Sequence, residues 1–154
     1  MKKIVLMLIC VFFFGCASGQ QPLPTSEGIV FETGKSRKVV MHAIINLIED
    51  DGFSVGSSNE KQGIIVCKPR KMLNGVLMEK IEGSSWGIQS KASTFNHLIQ
   101  FSANVSPNGT VKLKTLVMAT GSAHSIDSDK SEKLARYYEK KIEKILRRGT
   151  PRLI

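Results

Sequence analysis

Two alternating runs of apolar and polar residues constrain the fold of this chain most strongly. In the first run, apolar side chains occupy every second position, interrupted only by His97: Phe95, His97, Ile99, Phe101, Ala103 and Val105. The second run places Val111, Leu113, Thr115, Val117 and Ala119 on a single face. Between them lies Ser106-Pro107-Asn108-Gly109, and an Asn-Gly pair supplies the positive φ that tight hairpin turns need. The pattern predicts a long antiparallel β-hairpin with one buried face.

Two other segments have the i, i+3, i+4, i+7 spacing of amphipathic helices. The first covers residues 36–50, with Ser36 as the expected N-cap and Gly52 at the left-handed end. Its apolar stripe comprises Val40, Ala43, Ile44, Leu47 and Ile48. The second covers residues 129–148, and we expect Ser128 or Asp129 to cap it, since Asp129 and Glu132 have the spacing of a capping box. Its inner stripe comprises Leu134, Tyr138, Ile142 and Ile145, flanked by Leu146.

Shorter β-prone runs complete the expected sheet. They lie at 29–31, 53–55 and 63–67, with a turn at 57–60 and with Pro69 ending the third run. Residues 76–81 are a possible further strand inside the ambiguous segment 70–94. Helices with one apolar stripe and a sheet with one apolar face bury each other by packing together. We therefore expect an α+β two-layer sandwich over residues 29–150, with an antiparallel sheet of about five or six strands packed by two helices.

The amino terminus has the anatomy of a secretory signal. Lys2 and Lys3 precede an unbroken apolar run, 4–14, which is shorter than the roughly 20 residues that a membrane-spanning helix needs. The end of this run and the two residues after it, Phe13-Phe14-Gly15-Cys16, resemble the lipobox of bacterial lipoproteins. In that motif, leucine is usual where Phe13 stands and a small residue is usual where Phe14 stands. The resemblance implies cleavage after Gly15 and acylation of Cys16. An ordinary secretory signal or an uncleaved anchor is the alternative.

Residues 16–28 then have the small, polar and proline-rich composition of a flexible tether. Ala17 directly follows the cysteine. In enterobacterial lipoproteins an aspartate at this position favours retention in the inner membrane, so the resemblance favours the outer membrane here. We accordingly expect a lipid-anchored domain on the membrane of the cell envelope, facing the periplasm if the cell has one.

The basic balance of the chain restricts its partners. The formal net charge is +9, and two of the positive charges, Lys2 and Lys3, belong to the signal. Residues 129–148 contain eight basic and four acidic residues. A basic surface attracts anionic lipid, acidic polymers or nucleic acid. Export makes nucleic acid an unsuitable partner, so anionic lipid, cell-wall polymer and envelope proteins remain, with plain solvation as the alternative.

Few residues have the character of a catalytic or binding group. Cys67 is the one thiol of the mature chain, and beside an apolar run it is expected in the core. His42 is expected at a surface or at the boundary of the core, His124 in a polar loop, and His97 at the core or at the rim of a ligand site. Trp86, in a glycine- and serine-rich segment, is a candidate contact with a partner, or else covers the core edge. We expect no metal, no cofactor and no catalytic set.

The segment 43–63 gives a weak second resemblance. A helix followed by Asp51-Gly52-Phe53-Ser54-Val55, a polar turn and Gly63-Ile64-Ile65 resembles the helix-grip domains of BamC-type outer-membrane lipoproteins. That resemblance implies a non-catalytic role in envelope assembly or scaffolding, and it assigns no functional residue. The alternative is an envelope enzyme, or a binder of small ligands or cell-wall polymer, that uses a groove between helices and sheet with His97 as its polar group.

Overall fold

The predicted hairpin forms the middle of the sheet. In the computed structural model, which describes residues 27–83, 96–120 and 125–149, strands β5 (Asn96–Val105) and β6 (Thr110–Ala119) pair antiparallel from His97 opposite Ala119 to Val105 opposite Val111. The predicted inner row of each strand is buried, except that Ala119 is half-buried and Phe95 lies outside the described residues. Gly109 closes the turn at φ +84°, where a side chain would collide with the carbonyl of Lys35. Only glycine fits this turn without strain.

Four further strands extend the sheet on both sides of the hairpin. Their bounds are β1 Ile29–Glu32, β2 Val55–Asn59, β3 Ile64–Cys67 and β4 Arg70–Leu73. The strand order is β1-β6-β5-β3-β2. Strand β4 also pairs with β5, beyond the end of β3, so β3 and β4 lie in succession along the same edge of β5, with Pro69 between them. All pairings are antiparallel. Three helices and this six-stranded sheet form an α+β sandwich, as expected.

Helix α1 (Arg37–Asp50) agrees closely with its prediction. Ser36 occupies the N-cap position with an extended backbone, although its side chain makes no capping hydrogen bond. The whole predicted stripe is buried, and Met41 is buried with it. Gly52 follows the helix at φ +81°, which is the left-handed conformation expected there.

The expected strand at 76–81 is wrong, because this segment is helix α2 (Asn74–Glu82). Leu77 is fully buried and Ile81 packs beside the core, but Glu79 between them is exposed, so burial recurs after one helical turn and not at the two-residue period of a strand. Gly83 ends α2 in the left-handed conformation. A strand does lie within the segment 70–94, but it is β4, which precedes α2.

The expected turn at 57–60 is also displaced, since β2 continues to Asn59 and the turn covers residues 60–63.

Helix α3 (Ser128–Arg147) has the predicted extent but a different cap. The N-cap is Asp127, whose side chain accepts a hydrogen bond of 3.0 Å from the Lys130 amide, so the prediction of Ser128 or Asp129 is wrong. Of the predicted stripe, Leu134, Tyr138 and Ile142 are fully buried, with Leu146 buried and Ile145 half-buried.

Two buried hydroxyl groups fix the start of α3 to β6. The Thr115 hydroxyl donates to the Ser131 carbonyl. The Ser131 hydroxyl donates to the Asp127 carbonyl at 2.6 Å and accepts from the Val117 amide at 3.0 Å. These bonds satisfy polar groups that would otherwise be costly to bury, so they set the position of the helix along the strand.

The capping assignment predicts a ranking of stabilities. Replacing Asp127 with Ala leaves the Lys130 amide without its acceptor and should lower the free energy of unfolding by about 1 kcal/mol. Asp127→Asn keeps an acceptor at the same place and should retain most of the stability. Urea denaturation of the three proteins measures the differences.

Asp129→Ala is the matched control, because Asp129 is exposed in the first turn and pairs only with Lys133. It should destabilise less than Asp127→Ala. An Asp129 variant that is the less stable of the two would show that the capping box, and not Asp127, starts the helix.

Candidate interaction surface

The sheet presents one face to the helices and the other face away from them. Buried residues of all three helices belong to one core with the inner row of the sheet, which includes Ile65, Phe101 and Leu113. The strand residues of opposite parity form what we call the outer sheet face. Its members are Val30, Glu32, Ile64, Val66, Lys71, Leu73, Leu98, Gln100, Ser102, Asn104, Thr110, Lys112, Lys114, Leu116 and Met118. Within the described ranges, no helix packs on this face.

Exposed apolar groups distinguish the outer sheet face from an ordinary solvated sheet. Val30 is 62% exposed, Leu73 is 53% exposed and Ile64 is 36% exposed. Leu116 and Met118 on β6 are half-buried, although no described helix covers them. Exposed apolar groups that share a face, with polar residues between them, are typical of surfaces that bind another macromolecule.

The charge of the outer sheet face is one-sided. Lys71 and Lys112 are exposed and Lys114 is half-buried, whereas Glu32 at one corner is the single carboxylate among its members. Lys112 lies between Val30 on β1 and Asn104 on β5 in the strand register. The face therefore combines a positive potential with apolar contact area, which suits an acidic partner that also offers apolar groups.

On the helical side, a cluster of charged groups surrounds Asp51, the residue that ends α1. Lys80 of α2 donates to the Asp51 carboxylate at 2.8 Å, and the Lys141 ammonium of α3 is 3.6 Å from its other oxygen. The Arg70 guanidinium donates to the Asp51 backbone carbonyl. Both lysines also lie over the ring of Tyr137, with their nitrogens 5.2 Å and 4.8 Å from its centroid. The Asp51 carboxylate thus links the end of α1 to α2 and α3, and its backbone carbonyl links the same point to strand β4.

The protonation of this Asp51 cluster indicates a structural role. Burial alone would raise the pKa of Asp51, but the hydrogen bond and charge of Lys80, together with the charge of Lys141, outweigh it and lower that pKa. Burial and the neighbouring Asp51 charge raise the pKa of Tyr138. A carboxylate held ionised by two ammonium groups is a weak base, and an un-ionised buried phenol is a weak nucleophile. The cluster is suited to holding helices together rather than to proton transfer.

His97 lies in the inner row of β5, opposite Met72 and Ala119. It is 5% exposed, and burial together with the Lys130 charge lowers its pKa, against the opposing charge of Asp127. The imidazole is therefore neutral at pH 7. Among the described residues, His97 does not line the grooves beside α3.

Cys67 is buried at the end of β3, with 1% of its surface exposed, as expected for a core thiol. Burial and the Glu49 charge raise its pKa to about 11. A thiol with so high a pKa is almost wholly protonated at neutral pH, so it has little nucleophilic character. His42 is half-buried on α1.

The other predicted site residues, Cys16, Trp86 and His124, lie outside the described residues.

A groove of about 500 Å³ runs between edge strand β1 and helix α3. Glu27, Gly28 and Ile29 line it on one side, and Arg136 and Glu139 line it on the other. The Arg136 guanidinium is already paired with Glu132 at 2.9 Å. This groove lies between helix and sheet, where the alternative hypothesis places a ligand, and its polar lining comes from Glu27, Thr115 and polar residues of α3 rather than from His97.

No protein-family model matches this chain, and no curated protein is significantly similar to it in sequence. Among the described residues, no three His, Cys, Asp or Glu side chains are grouped as metal ligands. None of the described helices is long and apolar enough to cross a membrane.

The Asp51 cluster predicts a pH-dependent contribution to stability. Because folding lowers the pKa of Asp51 from its ordinary value of 3.8, its charge stabilises the fold above that pH. The contribution is lost as the pH falls through the lower pKa of the folded state. At pH 7, Asp51→Asn should lower the free energy of unfolding by about 1–3 kcal/mol, since Lys80 then loses a charged partner in a half-buried site.

Urea denaturation at neutral pH and near pH 3 measures this difference, which should shrink at the lower pH. Asp50→Asn is the matched control, since Asp50 is the exposed neighbour of Asp51 on the same helix end. Equal losses for the two variants, or a loss for Asp51→Asn that does not change with pH, would contradict the role given to Asp51.

Proposed function

We propose that this protein is a lipid-anchored, non-catalytic protein of the cell envelope that binds an envelope partner protein through its outer sheet face. The binding role is inferred from the difference between the two faces of the sheet. One face of the sheet is covered by helices, whereas the other combines exposed Val30, Ile64 and Leu73 with lysines. The proposed anchor rests on the signal-like residues 1–15 and on the lipobox-like Phe13-Phe14-Gly15-Cys16.

The two parts of the proposal fit each other physically. The tether enters the domain at Gly28, directly before edge strand β1. A domain held at a membrane by a short tether meets other envelope proteins at a raised effective concentration. A moderate affinity of the outer sheet face is then enough for a stable association. The outer membrane, facing the periplasm, is the location that Ala17 favours.

The anchor predicts a specific labelling result. In the producing bacterium, an alkyne analogue of palmitate should label the wild-type protein, and Cys16→Ser should lose the label and accumulate as precursor. Cys10→Ser is the matched control, because Cys10 belongs to the proposed signal and should not affect labelling. Retention of the label by Cys16→Ser would refute acylation at that residue.

The outer sheet face predicts a pattern of cross-links. A photoreactive amino acid at Ser102 or Lys112 should give a discrete cross-linked product in cells, whereas the same group at Asn46, exposed on α1, should not. Charge reversal by Lys112→Glu with Lys114→Glu should reduce the Ser102 cross-link several-fold, because opposite charges across an interface speed association and favour the correct partner. Circular dichroism verifies that the variants fold.

Equal cross-linking from Asn46 and Ser102 would contradict the assignment of the outer sheet face.

Binding of a small ligand or cell-wall polymer is the second candidate, and the groove between β1 and α3 is the observation that favours it. Arg136 is its cationic group, so the ligand would carry a negative charge or several hydroxyl groups. Soluble cell-wall glycan fragments should then raise the melting temperature of the wild type and leave that of Arg136→Ala unchanged. An equal rise in both proteins, or no rise in either, would count against this candidate.

A further inference from the structure

We propose that one face of helix α3 rests on the anionic phospholipid headgroups of the membrane in which the chain is anchored. This inference deepens the proposed function and depends on it for the membrane, but it concerns a surface that the anchor does not use. The face consists of Lys140, Lys144 and Arg148, which we call the basic crest. It is argued from the charge balance of α3, from the geometry of the helix and from the point at which the tether enters the domain.

The carboxylates of α3 leave the basic crest uncompensated. Asp129 pairs with Lys133, Glu143 pairs with Arg147, and Arg136 pairs with both Glu132 and Glu139. Lys141 is directed toward Asp51. Among the described residues, Lys140, Lys144 and Arg148 have no carboxylate within salt-bridge distance. Every acidic group of the helix is therefore already engaged elsewhere.

The three crest residues are exposed and follow one another at four-residue spacing. At about 100° per residue, this spacing places them within an arc of about 80° on the helix surface. Like charges four residues apart repel each other and weaken a helix. The helix dipole explains a basic residue in the last turn, but it does not explain Lys140, which lies two turns before the end. An external anionic surface would relieve the repulsion along the whole crest.

The entry point of the tether brings α3 close to the membrane. Glu27 and Gly28, the first described residues, line the groove against Arg136 and Glu139 of α3. Residues 17–26 separate them from Cys16, and ten residues span at most about 36 Å when fully extended. The chain thus enters beside α3, on the helical side of the sandwich, so that the crest can reach the bilayer while the outer sheet face is directed away from it.

The attraction expected from the crest is moderate. Each basic residue at an anionic bilayer strengthens association about fivefold, so three of them give roughly a hundredfold preference for anionic over neutral lipid. Such a preference is too weak to hold a free protein firmly, but it is enough to orient a tethered one. Salt should weaken it, since the charges are exposed.

Chemical footprinting of lysines in membrane-bound protein tests the inference. The full chain, purified from the membranes of the producing cell, is reconstituted into neutral phosphatidylcholine vesicles and into vesicles in which about a quarter of the lipid is phosphatidylglycerol. An acetylating reagent then reports the accessibility of each lysine by mass spectrometry. Lys140 and Lys144 should be several-fold less reactive in the anionic vesicles, and high salt should restore their reactivity.

Two internal controls make the result specific. Lys71 and Lys112 are both exposed and lie on the outer sheet face, away from α3. Both should react almost equally in the two kinds of vesicle. Lys140→Gln with Lys144→Gln should abolish the preference for anionic lipid without lowering the thermal stability, because neither side chain pairs with a carboxylate among the described residues and their mutual repulsion is removed. Equal reactivity of Lys140 and Lys144 in both vesicles, or protection of Lys112 instead, would overturn the inference.

The same samples separate this inference from the anchor. Flotation with neutral vesicles depends on the acyl chains and not on crest charge, so wild type should float, whereas a Cys16→Ser chain produced without residues 1–15 should not. A chain that floats with neutral vesicles but shows no protection of the crest in anionic ones is anchored, and the inference about α3 is then wrong. Failure to float with neutral vesicles would refute the anchor, whereas protection of Lys140 and Lys144 by anionic vesicles would still support the crest.

Discussion

The pairing of β5 with β6 is the interaction on which the rest of the structure depends. The free edge of β6 holds β1, and the free edge of β5 holds β3 and β4 in succession. The inner row of the hairpin supplies the apolar floor on which the helices pack. Because side chains alternate along a strand, a register shift of one residue would move that whole row to the outer face. The glycine turn at Gly109 and the alternating pattern together exclude such a shift.

The two faces of the sheet differ in role because the helices pack on the inner row of the hairpin. Burial of apolar side chains on the inner face stabilises the fold. The Asp51 cluster then fixes the end of α1, and the Thr115–Ser131 bonds fix the start of α3. The outer sheet face and the exposed side of α3 take no part in that core, so their composition is free to serve binding. Their basic character is consistent with acidic or anionic partners on both sides of a tethered domain.

Much of this architecture could be predicted from the sequence, because its strongest signals are periodic. The hairpin, α1 and α3 each repeat their apolar residues over three or more periods, and all three were predicted with nearly correct bounds. Helix α2 was mistaken for a strand because its apolar residues, Val76 to Met78, are consecutive and fit either period in so short a segment. The Asp127 cap was missed because several neighbouring Ser and Asp residues are equally good caps by type alone.

The charged clusters were less accessible to sequence reasoning. The Asp51 cluster joins residues from four separate elements, and no local pattern brings Asp51, Lys80 and Lys141 together. One signal was present, since acidic residues at the carboxyl end of α1 oppose the helix dipole and so call for cationic partners. Likewise the excess of basic residues in 129–148 was visible, but only the pairing of each carboxylate shows which cations remain uncompensated.

The central claim is that the domain is held at a membrane by acyl chains on Cys16, and the intact mass of the protein tests it most directly. Mass spectrometry of the chain purified from the producing bacterium should give a polypeptide that starts at Cys16, lacks residues 1–15, and carries added mass equal to a lipid modification at that residue. A mature chain that begins elsewhere, or an unmodified Cys16, would contradict the account.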